Sequence, residues 1–321
     1  MLNSQRLFVD VVRRYGAEHG IDIEIKSQGW LIVMRRGPRR HLAFGYDVGL
    51  NSAVAHRIAN DKAAASEVLA SYGIACIPHT LFLSPEMSRY VPPQRSWQAM
   101  TALLEQNPAG IVVKPNEGTS GDFVFKVSTA TALELAAHRI FGSHSGLAIS
   151  PYLEIEDEIR VVLLDQQPLA VYRKDRPAVT GDGKHSLLEL ALAATPAELR
   201  SAVLPAMLGE FDRASLDAIV PAGQHRLLNW RHNLDSGALP VLLEPGEVRD
   251  ACVAIAASAA QAIGIRFGSI DVVETGGGLK ILEVNSGVMM EALGRQHPEL
   301  VYAAYRAALD KVFGRAISGP S

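Results

Sequence analysis

Apolar residues recur along the chain at two spacings, one typical of helices and one typical of strands. From residue 5 to 19 they fall every three or four positions, which predicts an amphipathic helix that ends at Gly20. The short apolar runs at 21–25 and 30–34 predict two strands. We therefore expect residues 1–50 to form a short α/β unit.

The next segment, residues 51–72, has the pattern of one long helix or of two helices in tandem. In the second case, Asn60 or Asp61 caps a helix that carries Lys62, and Gly73 ends it. The apolar run TLFL that follows predicts a strand. Further on, we expect a loop at 85–93 and a helix at 96–106.

A fully apolar run at 111–113 predicts a strand that leads into Lys114. The glycine-bearing loop 116–122 follows, and FVFKV predicts a returning strand. A Walker A loop requires GK[ST] and a helix after the loop, and this segment has neither. The GxGxxG pattern of dinucleotide-binding folds is also missing from the predicted strand-to-helix turns.

From residue 147 onward, strand patterns become frequent. LAISPYLEI, EIRVVLLD and PLAVYRK predict an antiparallel meander, and a helical insert is predicted at 195–225. A helix at 247–263 precedes IRFGSIDVVET, a triple-glycine turn and LKILEVNSG, which together predict a β-hairpin. A last helix is predicted at 298–313. The fold class is therefore α+β, with antiparallel strands around a cleft.

Composition narrows the class of protein. The 321 residues suffice for two or three packed subdomains, and 48% are hydrophobic, which argues against disorder. A net charge of −3 argues against a general nucleic-acid-binding protein. With only two cysteines, far apart, a disulfide scaffold or a structural zinc site is not expected.

The first sixteen residues lack the apolar core and cleavage site of a signal peptide, and the alanine-rich stretch 251–262 is shorter than a membrane span. We expect a cytoplasmic protein with no membrane partner. The sequence leaves open whether the chain forms a homodimer.

Three oxygen-bearing side chains occur on the C-terminal hairpin. Glu283 and Asn285 are two residues apart, so they project from one face of their strand, and Asp271 lies on the preceding strand. Two carboxylates and an amide oxygen form a hard ligand set that suits Mg²⁺ together with phosphate oxygens. The same residues also fit an ordinary solvent-facing hairpin.

Lys114 stands at the end of a buried strand, directly before the loop. A lysine there can neutralise a phosphate, and glycines let backbone amides approach the phosphate oxygens. Arg160, Arg173 and Arg231 add positive charge that suits an anion. Alternatively, Lys114 belongs to a simple hairpin turn and each arginine to a surface salt bridge.

Taken in order, these blocks resemble the ATP-grasp superfamily. The matching segments are IANDKAAASEVLASYGI, GIVVKPNEGTSGDFVFKV, YLEIEDEIRVVLLD, AVYRKDRPAVTGDGKHS, NWRHNLDSGA and GIRFGSIDVVETGGGLKILEVNSG, which span residues 50–290. The chain is most similar to the ATP-grasp domain of cyanophycin synthetase, and also to glutathione synthetase and to the glutamate ligases that modify ribosomal proteins.

The resemblance implies a role for each matching residue. It implies that ATP is bound by Lys62, Lys114, Gly118, Thr119, Ser120, Gly121, Ser150, Pro151, Tyr152, Leu153 and Glu158. It implies that Mg²⁺, or Mn²⁺ in its place, is held by Asp271, Glu283 and Asn285. The implied catalytic residues are Arg231, Arg173 and Arg160, and the implied substrate residues are Asn233, Gly237, Ser286 and Gly287.

The implied organisation is a short N-terminal α/β unit (1–50), a small ATP-grasp subdomain (51–148) and a large one (149–321). The implied reaction joins a small amino-acid-like carboxylate to an amine through an acyl phosphate, with release of ADP and phosphate. Two other functions stay open: a non-catalytic ATP-binding regulatory module of the same fold, and a small-molecule kinase.

Overall fold

The structure is a computed structural model, and it describes residues 6–91, 96–118 and 121–314. The chain divides into two compact units. The first comprises Met1–Gly118, Asp122–Val171 and Glu244–Ser321, and the second comprises Thr119–Gly121 and Tyr172–Leu243. The predicted division into three parts at residues 50 and 148 stays a prediction.

The elements follow in chain order. The helices are α1 (Leu7–His19), α2 (Ala53–Asn60), α3 (Lys62–Ser71), α4 (Pro85–Ser88), α5 (Ser96–Gln106), α6 (Ala130–Phe141), α7 (Leu187–Ala194), α8 (Arg200–Glu210), α9 (Arg213–Asp217), α10 (Glu247–Ile263), α11 (Glu291–Gln296) and α12 (Pro298–Phe313). The strands are β1 (Asp22–Lys26), β2 (Leu31–Arg36), β3 (Arg39–Phe44), β4 (Thr80–Leu83), β5 (Ile111–Pro115), β6 (Phe125–Val127), β7 (Gly146–Pro151), β8 (Asp157–Leu164), β9 (Gln167–Asp175), β10 (Ala178–Thr180), β11 (His225–Leu227), β12 (Leu239–Leu242), β13 (Phe267–Thr275) and β14 (Gly278–Asn285).

Three sheets organise the first unit. Strands β1, β2 and β3 form a small antiparallel sheet, and β4, β7, β5 and β6 form a second in that order. In the third, β9, β8, β13 and β14 are successive neighbours, and β13, which lies between β8 and β14, is buried along nearly its whole length. The second and third sheets carry the residues discussed below.

Local sequence explains where the elements begin and end. The tandem-helix prediction is confirmed, because Asp61 ends α2 and caps α3, its side chain accepting a hydrogen bond from the Ala64 amide at 2.8 Å. The cap makes Lys62 the first residue of α3. At the end of α1, Gly20 adopts a left-handed conformation, as predicted for a helix stop.

The second sheet is held by a buried apolar cluster against α6. Ile111 and Val113 of β5 pack with Leu133 and Ile140 of α6, all of them almost fully buried. This core fixes the strand that carries Lys114. The sequence patterns did not predict α6, β3 or α11.

One predicted arrangement is wrong. Residues 146–151 do not join β8 and β9 in a meander, because β7 lies between β4 and β5 in the second sheet. The proline at 151 has no N–H to continue the ladder, and the chain passes to the third sheet after it. In the predicted loop 85–93, residues 85–88 form a short helix capped by Ser84, and residues 92–93 lie outside the described part.

The second unit has its own core. The end of β9 pairs antiparallel with β12, and β10 pairs with β11. Helices α7, α8 and α9 contribute Leu187, Ala191, Met207 and Leu216 to a buried cluster. Helices therefore do form within the predicted insert 195–225.

Among the residues that the structure describes, no helix combines the length and the apolar character needed to cross a bilayer.

The buried cluster behind β5 can be tested on one helix. Leu133 is fully buried, whereas Leu135 is 57% exposed. We predict that Leu133→Ala lowers the free energy of unfolding by about 2–5 kcal/mol, since it opens a cavity in this core. Leu135→Ala should change it by less than about 0.5 kcal/mol. Urea denaturation measures both, and equal effects would show that α6 does not pack on the sheet as described.

Candidate functional site

Two lysines of the first unit are buried beside the start of the glycine loop. The Nζ atom of Lys62 donates to the carbonyl oxygens of Gly118, at 3.0 Å, and Asn116, at 3.5 Å. Lys114, on β5, is only 8% exposed. A buried ammonium needs anionic or polar partners, so both lysines mark a place where negative charge is expected.

Asn116 ties α3 to this loop, a role that sequence reasoning missed. Its backbone carbonyl accepts from the Lys62 amide at 3.2 Å, and its Oδ1 accepts from the Ala63 amide at 3.1 Å. The signal in the sequence was a polar residue directly after an apolar strand. The contacts hold the start of the loop against the lysine-bearing end of the helix.

Burial lowers the pKa of Lys114 to about 8. The carboxylates of Glu283 and Glu158 act in the opposite direction, while the positive charge of Lys62 lowers the pKa further. Near neutral pH the ammonium is therefore charged, but burial makes its charged form less stable than the charged form of an exposed lysine. A phosphate in this position would stabilise the charged form.

The predicted metal ligands share one face of the third sheet. Asp271 of β13 is the cross-strand partner of Glu283 on β14, and Ser269 is the partner of Asn285. Paired residues on antiparallel strands project to the same side, as do residues two apart on one strand. The structure thus brings Asp271, Glu283 and Asn285 together, with Glu283 Oε1 3.6 Å from Lys62 Nζ.

Arg160 lies in the same row, because it is the partner of Asp271 on β8. Its Nε and a terminal nitrogen each donate to one oxygen of Asp271 at 2.7 Å. Asp271 is 1% exposed, so this is a buried bidentate ion pair. The guanidinium of Arg160, a predicted catalytic residue, therefore contacts the predicted metal ligand Asp271.

The ligand set fits a hard divalent cation in two respects. Carboxylate and amide oxygens are the donors that Mg²⁺ prefers, and an ionised carboxylate keeps lone pairs after accepting two hydrogen bonds. In Asn285 the ligand to a cation would be Oδ1, because Nδ2 is a hydrogen-bond donor; this Nδ2 is buried and has no hydrogen-bond partner among the described residues. In the described ranges, no three histidine, cysteine or carboxylate groups form a metal cluster.

Five of the predicted ATP-binding residues, Ser150–Leu153 and Glu158, also lie in the first unit. Ser150 is buried, Pro151 pairs with Ile111, and the Tyr152 amide donates to the Gly110 carbonyl at 3.0 Å. Leu153 follows directly. Glu158 is 6% exposed at the start of β8, and its negative charge acts to raise the pKa of Lys114.

The loop after β14 is fixed at its first residue. A hydrogen bond of 2.8 Å joins Ser286 Oγ and His56 Nδ1, and the Ser286 carbonyl accepts from Asn51 at 3.2 Å. Beside it, Gly287 lies against Tyr46. The predicted substrate residues Ser286 and Gly287 are thereby held next to Asn285.

The remaining predicted residues belong to the second unit. Arg173 pairs with Asp175 through two hydrogen bonds, and the Arg231 amide donates to Asn229 Oδ1 at 3.0 Å. Asn233 caps a short turn that ends at Gly237, whose backbone is left-handed. Their catalytic and substrate roles stay predictions.

The glycine loop is described only in part. Thr119 and Ser120 lie outside the described residues. Gly121 has φ +75°, a conformation that favours glycine, and a Cβ atom there would lie 2.2 Å from Asn233 Nδ2, so a larger residue would have to displace this amide. Gly118 contributes its carbonyl to Lys62.

Sequence reasoning missed one further residue of the site. His79 is buried, and its pKa lies well below the usual value because of burial and the charges of Lys114 and Lys62. With Lys62 and Glu283 it lines a cavity of about 10 Å³. Its Nε2 has no hydrogen-bond partner among the described residues. A lone histidine before a strand gave no usable signal.

Comparisons with solved structures identify the fold. A bifunctional glutathione synthetase from Pasteurella multocida matches with a TM-score of 0.52 and 16% identity, over 95% of this chain and 44% of that one. A D-alanine–D-alanine ligase from Bacillus anthracis matches with a TM-score of 0.53 and 16% identity, over 82% of this chain and 69% of that one. The same ligase complexed with ATP matches with a TM-score of 0.50 and 14% identity, over 82% and 72%.

This chain therefore has the fold of these ligases, the ATP-grasp fold, as predicted. It spans less than half the length of the glutathione synthetase structure. No protein-family profile matches the chain, and no curated protein matches it. The closer resemblance to the cyanophycin synthetase domain stays a prediction. A shared fold does not by itself assign a reaction.

The shifted pKa of Lys114 predicts how nucleotide affinity depends on pH. Phosphate binds the charged ammonium, so affinity should be full well below pH 8 and should fall as the pH rises through about 8. Lys114→Arg keeps its charge at high pH and should remove the fall.

Calorimetric titration with an ATP analogue between about pH 6.5 and 9.5 measures this dependence. Lys26→Arg, on an exposed lysine of β1, is the matched control and should keep the wild-type profile. A wild-type affinity that does not change across this range would contradict the role given to Lys114.

Proposed function

We propose that the protein is an ATP-dependent carboxylate–amine ligase that forms an amide or peptide bond on a small amino-acid-like substrate. The observation that carries this proposal is the arrangement in the first unit of two buried lysines opposite a row of two carboxylates and an amide. Lysines suit the phosphates of a nucleotide, and the oxygen row suits the divalent cation that accompanies them. The ATP-grasp fold supports the same interpretation.

The proposed reaction has two steps. A carboxylate oxygen of the substrate attacks the γ-phosphorus of ATP, the bond to ADP breaks, and an acyl phosphate forms. The amine nitrogen then attacks the acyl carbon, the bond to phosphate breaks, and the amine loses a proton. The products are an amide, ADP and phosphate.

In this scheme, the chain acts by position and charge rather than by a protein nucleophile. Lys62 and Lys114 bind the phosphates, and Asp271, Glu283 and Asn285 hold the divalent cation. When bound, Mg²⁺ neutralises the charge that moves with the phosphoryl group. Closure of the glycine loop excludes water, because an exposed acyl phosphate would hydrolyse.

We assign the remaining predicted residues to the same scheme. Ser150–Leu153 contact the adenine and Glu158 the ribose. Arg231 stabilises the transferring phosphoryl group, with Arg173 beside the acyl phosphate. Asn233, Gly237, Ser286 and Gly287 contact the substrate. The cytoplasm is the proposed location, and small molecules are the proposed partners.

The test is an assay of phosphate release with Mg²⁺, ATP and the common amino acids, singly and in pairs, followed by mass analysis. We predict an amide product and one phosphate per amide. Asp271→Asn replaces a charged oxygen ligand of the proposed metal site by a neutral amide and should lower turnover by at least about tenfold. Arg266→Gln breaks an exposed ion pair with Asp165, two residues that flank β13 and β8, and should keep full activity.

Three other outcomes would contradict the proposal. ATP binding without substrate-dependent phosphate release would indicate the non-catalytic module. A phosphorylated product without an amide would indicate a kinase. Full activity in Asp271→Asn would show that Asp271 is not a ligand of a metal ion that the reaction needs.

A further inference from the structure

The three predicted catalytic arginines are held in two different ways. Arg160 donates to both oxygens of Asp271, and Arg173 forms two hydrogen bonds with Asp175, so a carboxylate accompanies each of these guanidinium groups. Arg231 differs from both, because among the residues that the structure describes no carboxylate forms an ion pair with it. Its positive charge is therefore available to a ligand.

A neutral amide holds Arg231 instead. Asn229 Oδ1 accepts from the Arg231 backbone amide at 3.0 Å and from its Nε at 3.4 Å, so one oxygen contacts both the main chain and the guanidinium. The ring of Trp230 adds a cation–π contact, with its centroid 5.8 Å from the guanidinium carbon. Both contacts orient the guanidinium without placing a negative charge beside it.

The other end of the Asn229 side chain is unusual. Asn229 is only 2% exposed, and its Nδ2 atom is buried with no hydrogen-bond partner among the described residues. The two N–H donors at Oδ1 identify that end of the amide as the oxygen, so the atom without a partner is the donor. A buried donor without an acceptor destabilises the folded state, which an apolar side chain of the same size would avoid. An asparagine here therefore indicates a requirement other than stability.

The same segment of the second unit meets the end of the glycine loop. Gly121 lies so close to Asn233 that a Cβ atom would be 2.2 Å from its Nδ2, and both residues belong to this unit. Arg231 precedes Asn233 by two residues. A guanidinium without a carboxylate partner, in the segment that contacts this loop, suits an oxyanion, because its N–H groups match the spacing of phosphate oxygens.

We propose that Asn229 is a positioning residue that orients Arg231 through a neutral oxygen, so that the guanidinium keeps its full charge for the terminal phosphoryl group of a nucleotide. A carboxylate at this position would orient the guanidinium equally well, but it would compete with the phosphoryl group for the same N–H donors. The neutral amide avoids this competition. This inference rests on the proposed function, because it takes Arg231 as a ligand of the phosphoryl group.

The experiment compares the affinity for a non-hydrolysable ATP analogue with the affinity for ADP, by calorimetric titration with Mg²⁺. The ratio of the two affinities isolates the terminal phosphoryl group. Asn229→Asp keeps the shape and the acceptor but adds a negative charge, and should lower this ratio about tenfold. Asn229→Leu keeps the size and removes the acceptor, and should lower it about threefold, because the charge stays but is no longer oriented. The affinity for ADP should stay at the wild-type value in both variants.

Thermal denaturation distinguishes this role from a merely structural one. Asn229→Leu loses one hydrogen-bonded end and one unpartnered end of the amide, so it should melt close to the wild-type temperature. A wild-type affinity ratio together with a lower melting temperature in Asn229→Leu would show a merely structural asparagine and overturn the proposal. Asn229→Asp buries a charge, and if it does not fold, the ratio in Asn229→Leu decides.

The matched control is Gln224→Glu. It adds the same charge at an exposed position of the second unit and should leave the affinity ratio unchanged. A ratio lowered as much by Gln224→Glu as by Asn229→Asp would assign the effect to net charge and reject the positioning role.

Arg231→Gln separates this inference from the proposed function. A lower ratio in Arg231→Gln, with wild-type ratios in both Asn229 variants, would reject the role of Asn229 and keep Arg231 as a ligand of the phosphoryl group. If wild-type protein binds neither the analogue nor ADP, the nucleotide site fails, and with it both the proposed function and this inference.

Discussion

The burial of charge on one face of a β-sheet is the constraint on which the candidate site depends. Asp271 lies in a strand that is buried along nearly its whole length, and a carboxylate there is stable only with a partner. The antiparallel register supplies that partner by placing Arg160 opposite it, and supplies Glu283 on the other side. The proposed preference of the site for a divalent cation follows from this row.

The two lysines of the site are positioned by other elements of the fold. Lys62 is placed by a helix cap, since Asp61 ends one helix and begins the next, and Lys114 is placed by a strand whose other residues are held in an apolar core. Asn116 then joins the helix to the loop that follows Lys114. Neither lysine is close in sequence to the carboxylate row, so the site exists only when helix, loop and both sheets are formed together.

Local patterns predicted the elements well and their partners less well. The cap at Asp61, the helix from 247 to 263 and the hairpin that ends at Asn285 follow from spacing and turn residues over short distances. The strand at 146–151 was assigned to the wrong sheet, because apolar alternation shows that a strand exists but not which strands flank it. For the same reason, the sequence patterns did not predict the Arg160–Asp271 pair or the burial of His79. Both depend on long-range packing, which charge and hydrophobicity at single positions do not reveal.

The proposed function depends on a nucleotide that binds at Lys62 and Lys114, opposite the carboxylate row. Calorimetric titration of a non-hydrolysable ATP analogue with Mg²⁺, on wild-type protein and on Lys62→Ala, tests it most directly. We expect one analogue bound per chain and a loss of affinity of at least about tenfold in Lys62→Ala, because a buried phosphate-binding ammonium is removed. We expect no change in Lys26→Ala. An affinity in Lys62→Ala equal to that of wild type would show that the nucleotide does not bind at this lysine.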